Sequence, residues 1–149
     1  MSQHDAPFSW PVRVYWEDTD AGGVVFYANY LKFFERARTE WLRDLGQSQQ
    51  ALREQTGAIF IVSHTQVRHL APARLDDELH VTVQLTDCGR ASMNFAQQAW
   101  CGSRLLAEGT IRVGCVDASS WRPRRIPDLV LALIAPTSHP NAAAQDAPP

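Results

Sequence analysis

Tyr15-Trp16-Glu17-Asp18-Thr19-Asp20-Ala21-Gly22-Gly23-Val24-Val25-Phe26-Tyr27-Ala28-Asn29-Tyr30, continuing to Gly46, is the stretch whose reading decides the fold. Beyond Ala28 the apolar residues fall at Tyr30, Phe33, Phe34, Ala37, Trp41 and Leu45, the recurrence of a helix with one apolar face. Lys32, Glu35, Arg36, Thr39, Glu40 and Arg43 take the other side. Asn29 reads as the N-cap and Gly46 as the C-terminal stop, where φ > 0 costs glycine nothing. A face carrying two Phe, one Trp and one Tyr has to be wrapped by other structure. The turn Asp20-Ala21-Gly22-Gly23 lets backbone approach a ligand closely and places a carboxylate beside the helix start. That start offers unpaired N–H groups and partial positive charge, able to polarise a carbonyl or hold an anion. Two readings of the turn stay open from the residues alone: an Asx-type turn with solvated acids, or an acyl or carbonyl site.

Outward from this stretch the period changes from 3.6 to 2. Residues 11–17 read as a first strand, with Val12, Val14 and Trp16 alternating against Arg13, Tyr15 and Glu17. Residues 1–9 read as a loose polar lead. Ser48 caps a short second helix running to Gln55. From residue 58, Ile59, Ile61 and Ser63 alternate with Phe60, Val62 and His64, apolar on both faces at first, as a covered strand would be. Thr65 to His69 continue that strand and Ala71-Pro72-Ala73 breaks it. Leu79, Val81, Val83 and Leu85 alternate with Glu78, His80, Thr82 and Gln84 in the next strand. Ser92 to Trp100 and Leu105 to Asp117 are two more, joined by a hairpin at Cys101-Gly102-Ser103-Arg104. Residues 126–134 read as a closing helix. Residues 135–149, rich in Ala and Pro without periodicity, read as disordered. One long helix followed by closely spaced strands implies α+β with antiparallel neighbours.

At 149 residues the chain reads as one domain. Its 45% hydrophobic and 20% charged content is that of a soluble globular protein, and a net charge of −2 leaves no basic excess for nucleic acid. No apolar run reaches the ~18 residues a membrane span needs, and the first residues lack the pattern of a signal peptide. Cys88, Cys101 and Cys115 are scattered, an odd set that reads as reduced cytoplasmic thiols with no activating neighbour. His64 and His80 read as ordinary strand residues and no histidine has metal-type spacing.

The run Pro11-Val12-Arg13-Val14-Tyr15 through Asp18-Thr19-Asp20-Ala21-Gly22-Gly23-Val24-Val25-Phe26-Tyr27-Ala28-Asn29-Tyr30, with Phe34-Glu35-Arg36-Ala37-Arg38-Thr39-Glu40 and Ala71-Pro72-Ala73-Arg74-Leu75-Asp76-Asp77-Glu78-Leu79, resembles the YbgC-type acyl-CoA thioesterases. These belong with the 4-hydroxybenzoyl-CoA thioesterase branch of the hotdog-fold superfamily. The resemblance covers most of residues 10–130. It implies an antiparallel sheet wrapped around one central helix, and hydrolysis of an acyl or aroyl thioester to free acid and coenzyme A. It requires no metal or redox cofactor.

The same resemblance carries the family's catalytic carboxylate onto Asp20, as nucleophile or general base. It puts the oxyanion donor at the backbone N–H of Tyr27, within a substrate-binding segment of Gly22, Gly23, Val24, Val25 and Phe26. Many YbgC-type members carry His where this chain has Tyr27, which removes an available proton donor to the leaving thiolate. His69, beside the Ala71-Pro72-Ala73 break, is a candidate for lining the pocket, and Asp18 an orienting acid. Arg90, Arg122 and Arg124 are candidates for coenzyme A phosphates. A one-layer sheet leaves a face to bury, so at least a homodimer is expected. The resemblance implies dimers joined sheet edge to sheet edge, often paired into a homotetramer, with each site at a subunit interface. An acyl carrier protein is a further partner to consider. The rival readings are a hotdog acyl-thioester dehydratase or hydratase, and a non-catalytic acyl-carrier or envelope-complex binding module linked with the Tol–Pal system.

Overall fold

The alternation and helical periods resolve into strands and helices. In the computed structural model, which describes residues 6–134, these are β1 (Phe8–Arg13), a 3-10 turn (Trp16–Asp18), α1 (Asn29–Asp44), α2 (Gln49–Thr56), β2 (Ala58–His69), β3 (Glu78–Cys88), β4 (Ser92–Cys101) and β5 (Arg104–Asp117). Residues 128–134 are helical as well. The strands form one sheet in the order β1-β3-β4-β5-β2, with every neighbour antiparallel. α1 packs on one face of it, touching β1, β3 and β4. This is the hotdog arrangement, with the sheet as bun and α1 as filling.

The helix is enclosed because its stripe is too apolar to leave in water. Phe33, Phe34 and Ala37 have no solvent exposure, and they meet Leu79, Val81, Phe95, Ala99 and Ile111 in one core. Trp41 stands edge-on to Phe95 at 5.2 Å. Leu42 is also buried, so the stripe is wider than its expected positions. One polar group enters this core on purpose. Gln97, 1% exposed, donates to the carbonyls of Phe34 (3.1 Å) and Thr82 (3.2 Å) and accepts from Arg38 Nη1 (2.9 Å). With both amide protons and the amide oxygen engaged, Gln97 rivets α1 to β3 and β4 at modest cost. Burial pulls the Arg38 guanidinium below its usual range, with Glu35 opposing.

Three expectations need correction. The first strand runs Phe8–Arg13, not 11–17, so Phe8 and Ser9 are not loose lead. Its register is fixed by pairing with β3, Phe8 opposite Val83 through Arg13 opposite Glu78. Pro11 is tolerated because β1 is an edge strand. Trp16 lies in the 3-10 turn, 80% exposed, where alternation no longer applies. The covered strand expected from residue 58 is instead the other edge of the sheet. Most of β2 is exposed, including Ile61 and Val62. The second helix is as expected, capped by the Ser48 hydroxyl, which accepts from Ala51 N–H at 3.1 Å. The outermost residues of the lead (1–5) and the expected tail (135–149) lie outside the described residues.

Gly109 shows how tightly the sheet closes on α1. A Cβ there would stand 2.9 Å from the Gln66 carbonyl oxygen, 3.1 Å from Val67 Cγ2 and 3.3 Å from Phe34 Cε2. The carbonyl belongs to a paired strand and has no room to yield. Gly109→Ala is expected to lose about 1–3 kcal/mol of stability through overpacking. Urea denaturation checks this, and an unchanged midpoint would contradict it.

Candidate active site

Asp18, Asp20, the glycine turn and the α1 start are shaped by one short ladder. Phe26 N–H donates to the Asp18 carbonyl (2.8 Å), Thr19 bridges Val25, and Asp20 N–H donates to the Val24 carbonyl (2.8 Å). Gly23, at φ +83°, closes the tip by donating to the Asp20 carbonyl (3.0 Å). The second sequence match docks beside this ladder. Val25 N–H donates to the carbonyl of buried Ala73 (2.9 Å) and Val24 bridges Arg74. Val14 and Asp76–Asp77 exchange backbone hydrogen bonds just below. Two strings some fifty residues apart are thus one structural unit.

The two acids of the D-x-D string have opposite fates. Asp18 is 3% exposed, and its carboxylate accepts from Tyr15 N–H (2.9 Å) and Asn29 Nδ2 (2.9 Å). It ties the 3-10 turn to the first residue of α1. Asn29 is therefore not the N-cap expected of it, because its amide is committed to Asp18. The N-cap position is Ala28, with no side-chain cap. Asp20 is exposed, and Oδ1 accepts from Gly22 N–H at 2.8 Å, an Asx turn. Its Oδ2 has no partner among the described residues.

The α1 start is left chemically open. Asn29 N–H, Tyr30 N–H and Leu31 N–H find acceptors, but the N–H groups of Tyr27 and Ala28 donate to nothing among the described residues. No acidic side chain occupies the first turn. The partial positive charge of a 16-residue helix therefore meets no acid in its own first turn, at the end of the loop that carries Asp20. Aromatic rings frame it. Phe26 and Tyr27 lie 5.0 Å apart, and His69 meets Tyr27 at 6.1 Å and Tyr30 at 5.4 Å. Burial pushes the Tyr30 phenol up from its ordinary value, aided by Asp77 and opposed by the Ala73 amide.

The arginines are elsewhere in the single chain. Arg90, Arg122 and Arg124 cluster where β4 begins and β5 ends, and Ala58 there is opposite Asp117 while His69 is opposite Ala107. The 12 residues of β2 separate the two ends by roughly 35 Å. Arg90 and Arg122 are exposed, whereas Arg124 Nη1 is spent on the Thr56 carbonyl at the α2 end (2.7 Å). Nearby, amides of Ser120 and Ser119 hold the Asp117 carboxyl below its usual range. A cavity of about 330 Å³ sits on the sheet face away from α1, lined by Arg68, Thr82, Gln98 and Glu108 among others. It has no part in the α1 start. Cys88 and Cys115 are not activated thiols: burial pushes both up, with Asp87 adding at Cys88 and Arg124 opposing at Cys115. His64 and His80 are exposed strand residues, and no metal-binding cluster exists among the described residues.

The family model described as the thioesterase-like superfamily matches residues 14–134. The chain belongs to this thioesterase superfamily. It is 44% identical over 128 residues to the acyl-CoA thioesterase YbgC of Haemophilus influenzae, covering 86% of this chain and 94% of the relative. It is 47% identical over 126 residues to the acyl-CoA thioester hydrolase YbgC of Escherichia coli O157:H7, covering 84% and 93%. Among solved structures, a probable thioesterase from Bartonella henselae is similar with a TM-score of 0.77 at 31% identity, covering 82% and 100%. The thioesterase-superfamily match reaches from Val14 to the closing helix, so the loop, α1 and the arginine end all fall within it.

Sequence reasoning missed Asn29 as the partner of Asp18 and Ala28 as a second open amide. The joint presence of the two matched strings in one chain was the sequence signal for the loop packing. The Asp18 tie generates a contrast in stability. Asn29→Ala strips a buried carboxylate of one donor and is expected to cost about 1–3 kcal/mol. Asp20→Ala, on the exposed loop, is expected to stay within about 0.5 kcal/mol. Paired denaturation curves measure both, and equal losses would remove the distinction between the acids.

Proposed function

We propose that this chain hydrolyses acyl-CoA thioesters, with Asp20 supplying the carboxylate and the Tyr27 and Ala28 amides receiving the carbonyl oxygen. The carrying observation is that one short loop carries both an acid with a free oxygen and two undonated N–H groups at an uncapped helix start. The thioester carbonyl oxygen gains charge as the tetrahedral intermediate forms. Preorganised amides stabilise that charge without reorganising, each worth ~2.7–4 kcal/mol. Asp20 attacks the carbonyl carbon or takes a proton from the attacking water. The activity carried by the YbgC relatives supports the reaction class.

The site is completed by a second copy in this reading. Tyr15, Trp16, Phe26, Tyr27, Leu31 and Leu70 are all large, apolar and exposed around the α1 start. β2 is an unpaired edge carrying exposed Ile61 and Val62. Two copies related by a twofold axis perpendicular to β2 at this edge would pair antiparallel. The Ala58 end of one then lies beside the His69 end of the other. That places the second copy's Arg122 and Arg90 toward the first copy's Asp20, where they can hold coenzyme A phosphates. Such homodimers can pair further into tetramers, and reduced thiols suit a cytoplasmic setting.

Asp20→Asn is expected to lower kcat at least ~100-fold across an acyl-CoA panel read by free-thiol release, without changing the melting temperature. Undiminished turnover would sink the role of Asp20. A 2-enoyl-CoA in the panel, followed for loss of the double bond, tests the dehydratase rival directly. Val62→Asp, on the exposed edge, is expected to convert the dimer to a folded monomer with little turnover. Sedimentation together with activity decides, and a fully active monomer would remove the need for a second copy.

A further inference from the structure

We propose that His69 is the acid that protonates the departing coenzyme A sulfur, supplying in this chain the imidazole absent at Tyr27. The inference rests on the thioesterase reading above and deepens it. Its first support is the parity of β2. Phe60 and Val67 both pack against the core, although strict alternation would put residues seven apart on opposite faces. The register shift between Val62 and His64 explains this: Ser63 is a bulge. Past the bulge, Val67 and His69 face α1, and Arg68 turns outward to pair with Glu108 at 3.3 Å. Without that one extra residue His69 would face away from the helix.

The second support is where the ring stands. It meets Tyr27 edge-on at 6.1 Å, with planes 89° apart, and Tyr30 at 5.4 Å. Tyr27 is the residue whose open amide receives the carbonyl oxygen. In this reading the sulfur bonded to that carbonyl carbon departs beside Tyr27, the residue whose ring His69 meets. The backbone around the ring is anchored. His69 is registered with Ala107, and Leu70 N–H and Ala71 N–H both donate to the Leu106 carbonyl at 2.8 and 3.1 Å. The imidazole is exposed, so it recovers its proton from water. The groups facing it are the phenols of Tyr27 and Tyr30 from the α1 side, with Asp77 near Tyr30, and Arg68 and Glu108 directed to the outer face.

The step balances simply. Collapse of the tetrahedral intermediate breaks the C–S bond and sends its electron pair to sulfur. The His69 imidazolium transfers one N–H proton to that sulfur, giving the free thiol. The neutral ring takes a proton back from solvent, replacing the one released when water adds to the acyl group.

Two thioesters with the same acyl group test this on the full-length chain: the coenzyme A ester and the p-nitrothiophenyl ester, whose thiolate leaves without needing a proton. His69→Phe preserves a ring against Tyr27 and Tyr30. It is expected to lower kcat on the coenzyme A ester ~100-fold while staying within about twofold on the activated ester. Asp20→Asn is expected to lower both. Equal losses on the two esters in His69→Phe, or no loss on either, would overturn the role of His69. A wild-type chain that hydrolyses neither ester would instead overturn the thioesterase reading itself.

Discussion

Phe33, Phe34 and Ala37 can be dry only if a sheet closes over them, and that requirement organises everything else. Burying each of the two Phe side chains is worth about 1.5–3 kcal/mol, and no single flat layer could cover the full stripe. The sheet therefore curls, Gly109 gives the backbone room beneath Phe34, and Gln97 pins the helix at its middle. With α1 held along its length, its two ends are fixed at opposite ends of the sheet. The start of α1 carries the candidate site, and the arginines stand where β4 begins and β5 ends.

The site end illustrates how burial divides labour between identical side chains. Asp18 is withdrawn from water and repaid with two hydrogen bonds, so it holds the loop. Asp20, two residues on, keeps one oxygen free and stays exposed. A buried, doubly satisfied carboxylate makes a good strut and a poor reagent. An exposed one oriented by a turn has the reverse properties. The helix start shares this logic: Asn29 is committed to Asp18, so nothing local caps the Tyr27 and Ala28 amides.

The edge strand β2 joins the two ends. Its bulge at Ser63 decides which side chains look inward, and its unpaired edge is long and apolar enough to invite a second copy. A twofold axis there would bring together what a single chain keeps roughly 35 Å apart. The open apolar ring around α1, from Trp16 to Leu70, fits a surface that is covered in an assembly.

Much of this was legible from local pattern. The 3.6 period of Tyr30, Phe33, Phe34 and Ala37 and the strict alternation of β3 announced a wrapped helix and an antiparallel sheet, because each period reports which side of one element avoids water. The glycine turn beside an acid marked the candidate site, and its resemblance to the thioesterases named the reaction class. Local pattern could not say that β2 is an edge or that Ser63 flips its faces. Nor could it show that Asn29 serves Asp18, or that the arginines lie at the far end of their own sheet. Those outcomes depend on which strand pairs with which, and pairing is settled by contacts between residues far apart in the chain. The sequence by itself determined most of the elements and the candidate reacting groups. The tertiary structure decided their partners, since hydrogen bonds and burial are shared between segments and no one segment carries both halves.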